Sequence, residues 1–148
     1  MVDETDSKSV RGFPLCGFES YQKHQFEWKD IMVKKVSFEE FVELKESVSN
    51  KVLVVDFFAP WCGPCRALGQ TLEELSNVYS TALVEFVAIN VDDAFVEVQA
   101  IGIRNVPTIH IMFGGESKWQ AAGALDKETL LTAIESVIEA CFTPQSEV

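Results

Sequence analysis

The stretch Val52-Leu53-Val54-Val55-Asp56-Phe57-Phe58 is apolar at every position but one. A half-buried strand alternates apolar with polar residues, so a strand apolar at both parities has to be covered on both faces. That places the segment at the centre of a sheet with helices on either side. Past Ala59-Pro60 the chain continues Trp61-Cys62-Gly63-Pro64-Cys65. Two cysteines at this spacing, where a strand passes into a helix, set a thiol at the helix's positive end. Free N–H groups there favour the thiolate.

The chain has 148 residues, 47% of them hydrophobic, enough for one domain with some excess at an end. No apolar stretch approaches the ~20 residues that span a bilayer. The formal net charge of −11 argues against nucleic acid and against an anionic membrane, and favours steering toward basic patches on protein partners. Four cysteines do not make a disulfide framework in a chain of this size. One CxxC pair with two distant cysteines, Cys16 and Cys141, suits a catalytic dithiol in a reducing compartment. Met1 to Asp6 is acidic and polar, with no apolar region behind it, unlike a secretory signal or an Arg-rich transit segment. The expected location is cytoplasmic.

Residues 1–30 read as an amino-terminal extension, partly disordered or packed on the domain. Gly12, Pro14 and Gly17 there mix with Phe13, Phe18, Tyr21, Phe26 and Trp28 without a helix or strand period. Residues 31–142 read as the domain and 143–148 as a tail. Ile31 to Val36 is a short strand. Ser37 with Glu40 three residues on forms a capping-box pattern opening a helix that ends by Asn50. After the central strand, Leu68, Leu72, Leu75 and Tyr79 recur at helical spacing, which predicts a helix from Cys62 to Ser80. Leu83 to Val91 is a second buried strand and Asp93 to Ile101 a short helix. Thr108 to Phe113 is a strand opened by Pro107. Gly114-Gly115 turns it into a returning strand, Lys118 to Ala122. Leu130, Ile134, Val137, Ile138 and Cys141 stripe a last helix capped by Asp126 and stopped by Pro144. The order is βαβαβαββα.

Asp56 is costly in such a strand unless it is neutral or has a task. Burial raises a carboxyl pKa, which suits a general acid or base, while the plainer alternative is a structural polar residue at a sheet edge. A CxxC pair is also half of a zinc or iron–sulfur site, but that needs a second ligand pair. Cys16, Cys141, His24 and His110 offer none at suitable spacing, so no metal is expected.

Three segments carry a resemblance: Val55 to Cys65, Gly102-Ile103-Arg104-Asn105-Val106-Pro107-Thr108, and Ala122-Gly123-Ala124-Leu125. In this order and spacing they resemble the thioredoxin family, over roughly Ile31 to Phe142. The resemblance implies an α/β thioredoxin fold, a central mixed sheet flanked by helices. It implies a thiol–disulfide oxidoreductase that reduces protein disulfides through a Cys62/Cys65 redox disulfide. Cys62 is then the exposed nucleophile and Cys65 the resolving thiol. Asp56 handles the Cys65 proton, and Pro107 follows a cis bond facing the site, leaving the Val106 backbone free to pair with substrate. Trp61, Gly63, Pro64, Val106, Ala122 and Gly123 form the surface that receives the substrate. Pro64 between the cysteines tilts the pair toward reduction.

The implied carrier binds no cofactor. NADPH enters only through a thioredoxin reductase, which joins disulfide-containing proteins as a partner. The expected state is a monomer, with a weak dimer as the alternative. Two residues depart from the family pattern. Ala88 stands where many members carry a Lys near the buried Asp, and Gln70 where many carry a helix-kinking Pro. Competing readings are a binding module that uses the extension, and an isomerase-like oxidant.

Overall fold

The computed structural model describes residues 33–142. The extension 1–30, Cys16, the first residues of the leading strand, and the tail with Pro144 lie outside them. The described residues run β1 (Lys34–Lys35), α1 (Phe38–Ser47), β2 (Val52–Phe58), α2 (Gly63–Ser76), β3 (Val84–Asn90), a 3-10 turn (Val91–Asp93), α3 (Phe95–Ala100), β4 (Thr108–Phe113), β5 (Glu116–Ala122) and α4 (Lys127–Phe142). The five strands form one mixed sheet in the order β1-β3-β2-β4-β5. β1 and β2 run parallel to β3, while β4 runs antiparallel to both β2 and β5.

β2 is thus the middle strand, which explains its composition. Leu53, Val55 and Phe57 pack on one face with Phe41 of α1 and Val98 of α3. Val52 and Val54 pack on the other with Leu68, Leu72 and Leu75 of α2 and Leu130, Ile134 and Val137 of α4. Every residue of β2 up to Phe57 is buried. A parallel strand pair needs a crossover helix, and each helix lays its apolar stripe on one of these faces.

The helix starts follow local chemistry. Ser37 Oγ accepts the Glu40 N–H at 3.2 Å, and Asp126 Oδ1 accepts the Thr129 N–H at 2.7 Å. Each such cap is worth about 1 kcal/mol. Among the described residues β1 is the edge strand; it is short and carries exposed lysines, which discourages pairing with other chains. Lys34 and Lys51 both bridge to Glu85, at 3.1 and 3.0 Å, and tie β1 and the start of β2 to β3.

Three boundaries differ from the sequence reading. α2 ends at Ser76, not Ser80. Asn77 closes it by donating its side-chain amide to the Glu73 carbonyl at 3.0 Å. Tyr79 still packs beside the α2–α4 core from the following turn, its hydroxyl 3.2 Å from Glu135 Oε2. The helix expected from Asp93 to Ile101 is Phe95–Ala100: Asp93 ends a 3-10 turn that Asn90 Oδ1 caps through the Asp92 N–H at 2.9 Å, and Ala94, with non-helical backbone, separates the two. β5 begins at Glu116, two residues early. Gly114 and Gly115 both have positive φ, +63° and +84°, and make a two-residue hairpin that passes straight into the next strand. α2 is continuous through Gly69 and Gln70.

Candidate active site

β2 leads directly to the cysteines. Beyond Phe58, the Ala59 carbonyl accepts the Cys62 N–H at 3.1 Å, so Ala59 to Cys62 form a tight turn. Cys62 is the N-cap of α2, with extended backbone. Its Sγ accepts the Cys65 N–H at 3.2 Å, the place a Ser or Asp oxygen takes in other helices. Gly63 and Pro64 fill the first helical positions, where the missing Pro N–H costs no helical bond. Cys62 and Cys65 are joined as a disulfide.

The expectation of an exposed Cys62 is corrected. Cys62 is 6% and Cys65 4% exposed. Both belong to the core group of Phe57, Ala59 and Ile103, with Val106 packed against it. Trp61, Gly63 and Pro64 form the exposed rim around the two sulfurs.

The other end of the site comes from a distant stretch of chain. Thr108 pairs with Phe57 on β2 and with Ala122 on β5, so β4 begins beside the end of β2 where the disulfide turn starts. Pro107, buried, precedes it, and the Val106–Pro107 bond is cis. The Pro107 carbonyl accepts the Gly123 N–H at 2.8 Å, and Thr108 Oγ1 donates to the Asn105 carbonyl at 2.6 Å. Gly123 has φ +101°, a conformation that L side chains rarely adopt. The three segments that carry the resemblance therefore meet at one end of the sheet.

Asp56 is 3% exposed, and its Oδ1 has no hydrogen-bond partner among the described residues. The strand's alternation turns it to the face covered by α2, the helix that carries Cys65. Burial raises its carboxyl from the ordinary 3.8 to about 7. The sheet-edge alternative is excluded, since β2 has a neighbour on each side. In register Asp56 faces Ala88 on β3 and Ile109 on β4, so the position opposite it on β3 carries no cation.

Two features were missed in the sequence. Asp92 accepts the Trp61 indole N–H, Nε1 to Oδ2 3.1 Å, and fixes a ring that is 70% exposed. Nothing local signals a bond across 31 positions. His110, considered only as a metal ligand, is buried edge-on to Phe57 with ring centroids 5.3 Å apart, and burial lowers its pKa. Among the described residues, no group of three or more His, Cys, Asp or Glu is placed to hold a metal ion.

Known proteins match this architecture. A chloroplastic M-type thioredoxin of Brassica napus is 38% identical over 91 residues, 62% of this chain and 51% of that protein. A thioredoxin of Synechocystis is 38% identical over 96 residues, 64% of this chain and 89% of that one. Among solved structures, the complex of a ferredoxin:thioredoxin reductase with thioredoxin f2 aligns with TM-score 0.66 and 29% identity, over 72% of this chain and 96% of that one. The chain spans about half the length of the chloroplastic relatives it matches, 51% for Brassica napus and 51% for Zea mays.

The cytoplasmic expectation is corrected by these relatives, several of which are named as chloroplastic. The composition of the first few residues was a poor guide to compartment beside the likeness of the domain itself. The thioredoxin family model matches residues 29–136, and the chain belongs to the thioredoxin family.

Proposed function

We propose that this protein reduces disulfides in other proteins and is itself oxidised to the Cys62–Cys65 disulfide. The observation that carries this is the disulfide at the amino end of α2, with the Cys62 sulfur accepting the Cys65 N–H. In the reduced protein the same N–H and the helix dipole favour a Cys62 thiolate. The thiolate attacks one sulfur of the target disulfide. A Cys62–target bond forms, the target S–S bond breaks, and one target sulfur leaves as a thiolate that takes a proton from solvent.

Cys65 then gives its proton to Asp56, directly or through a water, and attacks the Cys62 sulfur. The mixed disulfide breaks, the second target sulfur leaves, and the Cys62–Cys65 bond closes. Two electrons have moved to the target. With its pKa near 7, Asp56 is poised to take a proton and return it at neutral pH. Holding both cysteines one helical turn apart makes the second step intramolecular and fast. Trp61, Gly63, Pro64, Val106 and Gly123 receive the target around the sulfurs, and buried Pro107 closes the site at the head of β4.

The oxidised pair is returned to the dithiol by a reductase, with no cofactor on this chain. The family's NADPH-linked route and a ferredoxin-linked route are both open to it. The chloroplastic names of the relatives and the reductase complex of the f2 relative favour the ferredoxin-linked one and a plastid location.

A Cys65→Ser variant tests the two-step scheme. It retains attack by Cys62 and lacks the resolving thiol, so mixed disulfides with target proteins accumulate and are released by dithiothreitol on non-reducing gels. Failure to trap any target from an oxidised protein mixture, with Cys62 still reactive, contradicts the resolving role of Cys65.

A further inference from the structure

The surface next to the disulfide exposes more apolar area than the fold needs. α3 buries Val98 and the preceding Ala94, yet leaves Phe95 59% and Val96 73% exposed; Ile101 just beyond it is 45% exposed. Trp61, at 70%, adds an indole. The Trp61–Asp92 hydrogen bond places that ring against the segment from which α3 starts. Asp92 precedes Phe95 by three residues, a reach of at most about 10 Å. Clustered large apolar side chains on a surface mark interaction sites.

The charge around them is one-sided. Asp92, Asp93 and Glu97 are exposed in this segment, and Arg104 is the one cation between Val91 and Pro107. Disulfide exchange requires a target sulfur to reach bonding distance of Cys62. A protein target must therefore cover the surface beside Trp61, and α3 is continuous with that surface.

We propose that α3 extends the docking surface and selects targets in which an apolar side chain flanked by Lys or Arg lies beside the reducible disulfide. The apolar residue packs on Phe95 and Val96, and the cations face Asp93 and Glu97. The net charge of −11 acts in the same direction, repelling acidic targets. This selection rests on the thiol–disulfide reading above.

The test uses the full-length reduced protein and three probes. One is bis(hydroxyethyl) disulfide, small and uncharged. The others are two synthetic peptides, each with one intramolecular disulfide and an adjacent leucine, flanked by lysines in one and by glutamates in the other. At low ionic strength kcat/KM for the lysine peptide is expected to exceed that for the glutamate peptide about tenfold, falling to about twofold or less at ~0.5 M salt. The double substitution Asp93→Lys with Glu97→Lys leaves the chain acidic and cuts the preference to about threefold or less at low ionic strength. Phe95→Ser with Val96→Ser slows both peptides about fivefold, on the order of losing one apolar anchor.

Reduction of bis(hydroxyethyl) disulfide stays unchanged in both variants. Equal rates for the two peptides, or a preference that the two lysine substitutions leave undiminished, overturns the docking proposal and leaves the thiol chemistry standing. A fall in the small-disulfide rate that matches the peptide loss overturns it as well. Failure of the parent protein to reduce the small disulfide overturns the thiol reading itself.

Discussion

A Cys62→Ser variant is expected to lose reduction of insulin disulfides by on the order of 10⁴-fold or more, the scale of loss when an enzyme's nucleophile is removed. The cause is chemical. A thiol at a helix amino end ionises near ambient pH, whereas a serine hydroxyl does not. The variant separates chemistry from structure well, because Cys62 is the N-cap of α2 and its sulfur accepts the Cys65 N–H at 3.2 Å. Serine is a preferred N-cap residue and keeps that bond, so the helix starts as before. The lost disulfide links residues only three apart in sequence, so its loss frees little chain entropy in the unfolded state. Insulin turbidity with dithiothreitol as donor measures the activity, and far-UV circular dichroism confirms the fold. A variant that stays active contradicts the assignment of Cys62.

Asp56→Asn carries the second large effect, and it acts on stability and activity in opposite directions. Burial raises the Asp56 carboxyl from 3.8 to about 7, a rise worth about 4 kcal/mol. The folded state holds this proton more tightly than the unfolded chain does. Its contribution to stability is therefore fully present below about pH 4, declines as pH rises through the window from 3.8 to about 7, and is gone above it. Asparagine does not titrate. The stability of the variant relative to the parent is expected to rise across that window by up to about 4 kcal/mol and to level off above it. Urea denaturation of the oxidised proteins at pH 4, 6 and 8 measures this. A difference that stays flat with pH contradicts a buried, raised Asp56. In the proposed scheme Asp56 accepts the Cys65 proton, so the same change is expected to slow the resolving step by about 10²-fold, the lower range for general-base catalysis. The pH-dependent stability is the sharper readout of the two, because it reports the buried carboxyl itself.

Much of this was readable from local patterns. The apolar run of β2, broken only at Asp56, identified the middle strand because two-sided burial leaves no alternation. Ser37 and Asp126 announced their helices because capping acts within three residues. Pro107 and Gly114-Gly115 bounded β4 at its observed ends, since one cannot donate to a ladder and the others turn the chain. The cysteine pair was legible from spacing alone.

What sequence missed depends on contacts between distant segments. The stripe of α2 continued to Tyr79, yet the helix closes at Asn77 through a side-chain bond that periodicity cannot see. The burial of Cys62 depends partly on Val106 and Ile103, some forty residues further along. Asp92 holds Trp61 across a gap in the chain, and the exclusion of an edge position for Asp56 needed the strand order. The departure at Ala88 was read from the resemblance as a missing cation near the buried Asp, and the β2–β3 register places it directly opposite Asp56.

The central claim is that Cys62 and Cys65 form a reducing couple. Pro64, at the start of α2, offers no N–H to the thiolate, and on the proposed reading this tilts the pair toward reduction. The most direct measurement is the reduction potential of the Cys62/Cys65 pair, from equilibrium with dithiothreitol redox buffers. The expected value is about −270 mV, the range of thioredoxins. A value near −180 mV, as in protein disulfide isomerase, differs by about 4 kcal/mol and would make the pair an oxidant, contradicting the reductase assignment.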